Sequence, residues 1–60
     1  MSATTVRVGA IYPDRCGEFR FSVKAGATVY VRGRRELAAI KRDRRAIIAV
    51  ARAHGWRVRA

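Results

Sequence analysis

Arg34, Lys41, Arg45 and Arg52 recur at spacings of seven, four and seven residues. On a helix turning 100° per residue, these four fall within about 40° of one another. Arg42 flanks them, and Ala38 and Ala49 lie on the same side, small enough to let another backbone approach. A ridge of cations neutralises phosphates and releases their counterions. A face serving solubility alone mixes charges of both signs, and this stripe contains no acid. The spacing therefore points first to phosphate binding by Arg34, Lys41, Arg42, Arg45 and Arg52.

A second basic group is expected on strands. Arg7, Arg20, Tyr30 and Arg32, with Ser22 and Thr28, would share the sheet face turned away from the helix. Cations around an aromatic ring suit a backbone-plus-stacking contact with nucleic acid. Arginine on a sheet can also read guanine in the major groove. Three strands followed by a helix resemble, in element order alone, the small sheet-reading DNA-binding domains of phage integrases.

Catalytic groups are scarce. His54 is the single histidine, placed at a helix C-terminus, where it reads as a structural residue. The four carboxylates are scattered, and no His/Cys pair could activate a nucleophile. Cys16 is alone, which leaves no internal disulfide and no thiol cluster for a metal. Beside Arg15 in a turn, it reads as a plain turn residue. "GRR" and "AGA" lack the spacing of a phosphate loop. The reading is a protein that is not an enzyme and carries no cofactor or metal. A toxin-like, metal-independent ribonuclease built on Arg, Lys and Tyr is the one catalytic alternative.

The whole chain must position these groups with little material. Sixty residues make one domain, 1–60, with a marginal core. Half the residues are apolar, ordinary for a globular chain. Fourteen basic residues against four acidic give +10. That balance suits nucleic acid, an anionic membrane or an acidic protein. Twelve of the fourteen are arginine, the better bidentate phosphate and guanine ligand, although a GC-rich genome yields the same bias. No apolar run approaches the roughly 18 residues of a membrane span. "MSATTVRV" lacks the charged-then-apolar order of a leader, so a cytoplasmic location is expected.

Periodicity supplies the elements. "TTVRVGAIY" alternates, with Val6, Val8, Ala10 and Tyr12 on one side; Ile11 breaks the pattern and Gly9 marks a candidate bulge. "PDRCGE" is a turn. "EFRFSVK" is the clearest strand, with Phe19, Phe21 and Val23 facing one way and Glu18, Arg20, Ser22 and Lys24 the other. A three-residue loop, Lys24–Gly26, joins it to "ATVYVR" with Gly26 left-handed in last position. That loop sets Phe21 opposite Val29 and Glu18 beside Arg32. The two-residue alternative, Ala25–Gly26, turns Val29 and Val31 to the polar side.

From Arg34 to His54 there is neither Gly nor Pro, which predicts one helix of about 21 residues, or about 32 Å. Leu37, Ile40, Ile47, Ile48 and Ala51 share its apolar face. Gly55 would be the left-handed C′ residue, with Trp56 folded back toward Val50 and Ala51. Arg44 sits on the apolar face, either snorkelling or marking a break where Asp43 caps a second helix. "WRVR" alternates and is compatible with a short last strand.

The expected fold is α+β, a small three-stranded antiparallel sheet on one long helix. The expected function is nucleic-acid binding, DNA ahead of RNA, by a small phage or bacterial regulatory or architectural factor. The alternative is a protein-interaction factor docking on an acidic host protein. Open strand edges and the thin core favour a homodimer.

Overall fold

A computed structural model describes residues 4–60. The part of the leader reading that falls on residues 1–3 lies outside the described residues. The elements are β1 (Thr5–Val8), β2 (Tyr12–Pro13), β3 (Phe19–Ala25), β4 (Thr28–Arg34), α1 (Leu37–Ala53) and β5 (Arg57–Arg59). The class is α+β as expected, but the sheet is mixed and has five strands where three antiparallel ones were expected. β4 lies on one side of β3; β1 and β2, end to end, lie on the other. β5 runs parallel to β1 at the far edge.

The expected first strand is split by a bulge. Val8 pairs with Val23, Gly9 N–H donates to Ser22 O at 2.8 Å, and Tyr12 pairs with Arg20. Ala10 and Ile11 thus stand against the single residue Phe21, one extra residue in the β1–β2 strand. The bulge explains the broken alternation. Val6 and Val8 point inward before it, and Ile11 packs against the core after it. Tyr12 is thereby turned to the outer face beside Arg20, not to the side of Val6 and Val8.

The β3–β4 hairpin also departs from expectation. Ala25 pairs with Thr28, leaving the two-residue loop Gly26–Ala27. Gly26 has φ 60° and Ala27 keeps negative φ, as in a type II′ turn, which takes its glycine in the first position. Phe21 therefore pairs with Arg32, not Val29. Val29 and Val31 fall on the outer face, 58% and 47% exposed. Thr28, Tyr30 and Arg32 fall on the helix side.

α1 spans 17 residues, shorter than expected because β4 continues through Arg34. Glu36 is its N-cap in extended conformation and makes no side-chain capping bond. Its C-terminus follows the sequence closely. Gly55, at φ 78°, donates to Arg52 O at 2.9 Å, and Trp56 N–H donates to Ala51 O at 3.0 Å. These are the two bonds of a Schellman motif.

One face of the sheet meets the helix. Val6, Val8, Phe21 and Ile40 form the buried cluster, surrounded by half-buried Ile11, Phe19, Val23, Ala25, Ile47, Ile48 and Val58. Phe21 and Ile40 are the largest fully buried side chains. Truncating Phe21 to alanine costs about 3–5 kcal/mol, comparable to the whole stability of so small a domain. Arg44 interrupts the apolar stripe for a reason neither expectation held. Its Nε donates to Gly9 O at 2.9 Å and its Nη2 to Val8 O at 3.3 Å. It thus ties the helix to the carbonyls at the bulge, and α1 runs unbroken past Asp43.

Candidate nucleic-acid interface

Among the described residues, no helix lies over the outer face of the sheet. Val6, Val8, Phe21, Val23 and Val58 turn inward, so their neighbours turn outward. Register then sets cations side by side. Arg59 on β5 pairs with Arg7 on β1, and Arg7 pairs with Lys24 on β3. Directly opposed side chains have Cβ atoms about 4.5–5.5 Å apart, and like charges there repel. Arg57 joins this row one pair away, opposite Thr5. A shallow concavity of about 610 Å³, lined by Thr4, Thr5, Arg7, Lys24 and Gly26, lies beside it. Among the described residues, none of Arg7, Lys24, Arg57 and Arg59 is ion-paired.

The acids gather at the opposite end of the sheet. The hairpin tip, Gly26–Ala27, marks one end; the Asp14–Glu18 turn marks the other. In that turn Asp14 Oδ1 accepts the backbone N–H groups of Cys16 and Glu18, each at 2.8 Å, and Oδ2 accepts Arg20 Nε at 2.6 Å. The Glu18 N–H is the largest influence holding the Asp14 carboxyl below its usual range, with the Cys16 N–H and Arg20 adding to it against partial burial. Glu18 also approaches Arg20, at 3.7 Å. Asp43 Oδ2 accepts Arg34 Nε at 2.7 Å and Arg32 Nε at 3.0 Å. These two arginines, Arg34 first, hold the Asp43 carboxyl low as well. Glu36, the fourth acid, stands at the start of α1 close by. Three of the four acids, Asp14, Glu18 and Asp43, are thus spent on Arg20, Arg32 and Arg34, and the end nearer the hairpin tip keeps its positive charge.

The expected site residues divide accordingly. Lys41, Arg42, Arg45 and Arg52 lie exposed on α1, and among the described residues none is ion-paired. Arg34 does not join them: it ends β4 and bonds Asp43. Of the sheet set, Arg7 is in the outer row, while Arg20 is outward but engaged by Asp14. Tyr30 and Arg32 are on the helix side, where Arg32 Nη1 donates to the Tyr30 hydroxyl at 3.3 Å. Arg32 therefore forms no cross-strand pair with Glu18. Lys24, Arg57 and Arg59 were not singled out from sequence. The alternation of "WRVR" carries the signal for the last two, but their meeting with Arg7 depends on a parallel pairing of residues 52 apart in the chain, 7 with 59.

Cys16 is an exposed turn residue. His54 is the helix C-cap and stacks on Trp56, ring centroids 5.0 Å apart. Trp56 is 42% exposed and, with Val50 and Ala51, lines an apolar groove of about 270 Å³ between helix and sheet. Among the described residues, no helix is long and apolar enough to cross a membrane. Comparison with protein-family models, with curated proteins and with solved structures finds no match to this chain.

Proposed function

We propose that this chain binds nucleic acid, duplex DNA before RNA, by laying the outer face of its sheet against phosphates. The observation that carries the reading is the row Arg59–Arg7–Lys24, three cations opposed across neighbouring strands with no ion-paired acid among them. Such opposition is destabilising in the free protein. A polyanion relieves it, and DNA presents about one charge per 1.7 Å of helix axis. Confinement of the acids to the far end gives the molecule a directed field, which orients and speeds encounter.

Dimensions favour DNA. Three adjacent strands span about 10 Å, comparable to the roughly 12 Å major groove of B-form DNA. The major groove of A-form RNA is too deep and narrow for side chains to read. Without a set of polar side chains arranged around a base edge, contact is mainly to the backbone, which suits an architectural or weakly selective regulatory role. The exposed ridge Lys41, Arg42, Arg45 and Arg52 is a second, weaker phosphate surface on the opposite side.

A gel shift with duplex DNA, single strands and duplex RNA at two salt concentrations tests this. Duplex DNA of any sequence should be retained, with affinity falling steeply as salt rises. Salt-sensitive binding to an acidic protein, with none to nucleic acid, would replace this function by protein docking.

A further inference from the structure

β4 ends the sheet on its side of β3, and its free edge is unusually open. Ser22 O accepts from Gly9, so Ser22 turns its backbone groups toward β1. Its odd-numbered neighbours in β3 turn theirs toward β4 by the alternation of an antiparallel ladder. Their partners Thr28, Tyr30, Arg32 and Arg34 are thereby used on β3. Val29, Val31 and Gly33 direct N–H and C=O groups outward, to no strand among the described residues.

Sheet edges are normally protected by proline, lysine, a bulge or a covering element. From Thr28 to Val31 β4 has none of these. It is apolar and exposed on both faces, with Tyr30 49% exposed on the helix side as well as Val29 and Val31 outside. The two arginines that follow do not guard it, because both are drawn onto Asp43.

We infer that β4 pairs antiparallel with β4 of a second copy, about a two-fold axis at Val31. This register sets Val31 against Val31 of the second copy and Val29 against Gly33, so all three outward-facing residues on each strand form both bonds. Tyr30 then lies beside Arg32 of the second copy, a cation–π arrangement. A copy of the same chain fits because a two-fold contact must be self-complementary, and in this register Arg32 and Arg34 of each strand face Tyr30 and Thr28 of the other, so two strongly basic chains meet without setting arginine against arginine. The two sheets become one, with both helices on one side and both cation rows on the other. The inference stands whether or not those rows bind nucleic acid.

Sedimentation equilibrium of the full chain without nucleic acid, at micromolar concentrations and above, tests it together with amide exchange followed by NMR. A dimer is expected whose dissociation constant falls as salt rises, because salt screens repulsion between two +10 chains. Nucleic-acid binding has the opposite salt dependence, so the two claims fail separately. The amides of Val29, Val31 and Gly33 should be protected in the dimer and exchange fast on dilution. Val31→Pro removes an outward donor that β3 does not use, and should raise the dissociation constant about tenfold or more. The double variant Val29→Lys, Val31→Lys should do the same by placing charge on the edge, and serves if the proline variant does not fold. A monomer at all concentrations, unprotected amides in a dimer, or a dimer unchanged in folded variants would overturn the inference.

Discussion

Among the described residues, the row Arg59–Arg7–Lys24 on the outer sheet face and the ridge on the outer helix face are both cations without ion-paired acids, yet they are held differently. On α1, Lys41, Arg45 and Arg52 follow one another about 6 and 10 Å apart along the axis, on long side chains that can splay into water. On the sheet, Arg59, Arg7 and Lys24 stand abreast on three bonded strands, and the register fixes their backbones side by side. A helix can carry charge for solubility at little cost. A sheet that sets like charges opposite one another gives up stability for it, which is the reason to place the phosphate contact there.

The largest expected effect follows from reversing the row. Arg7→Glu with Lys24→Glu should weaken binding to all DNA sequences at least about tenfold and flatten the salt slope by about two units, one for each lost phosphate contact. Because both side chains leave the core alone, the free protein should melt at the same or higher temperature. The matching helix variant, Arg45→Glu with Arg52→Glu, should change affinity less and the slope by under one unit. Equal or greater loss from the helix pair, measured by titration in parallel, would exchange the roles of the two faces.

A third expectation concerns the acidic end. Asp14 and Asp43 have pKa values lowered in the folded state. The stability they contribute is therefore present above the ordinary aspartate pKa of about 3.9 and lost as pH falls through and below it. Thermal melts from neutral to acid pH should show this loss, and Asp43→Asn should reduce it. The same variant frees Arg32 and Arg34 on the helix side, so it should raise DNA affinity only slightly if the outer face is the site. The smallest effect is expected at Trp56. Its groove lies on the helix side, and indole fluorescence should not change when the sheet face is saturated with DNA. Trp56→Ala should lower the melting temperature while leaving affinity intact, and a folded variant that has lost binding would place Trp56 in the interface.

Local chemistry in the sequence is a good guide where one short stretch decides the outcome. Gly55 followed by Trp56 indicates the helix stop, and Phe19, Phe21 and Val23 indicate the buried side of β3. The β3–β4 register is less legible because Gly26 serves either as the last residue of a three-residue loop or as the first of a II′ turn. The apolar Val29 and Val31 favour the former, since the sequence does not show that β4 lies at an edge where both faces are open. Ile11 signals a bulge only once Ser22 and Arg20 are known to flank its partner. The helix ridge is readable from a period of 3.6, except at Arg34, which β4 claims. The cation row is not readable, because Arg7, Lys24 and Arg59 come together through a parallel strand that returns after the helix. Arg44 looks misplaced until the carbonyls of Val8 and Gly9 are seen beneath it.

The most direct test is a map of backbone amide shifts as duplex DNA is added at low salt. If the sheet face binds, the shifts will concentrate on Thr5–Val8, Lys24 and Arg57–Arg59, and the amides from Lys41 to Arg52 will hold their positions. Shifts confined to the exposed side of α1, with β1 and β5 unmoved, would contradict the account.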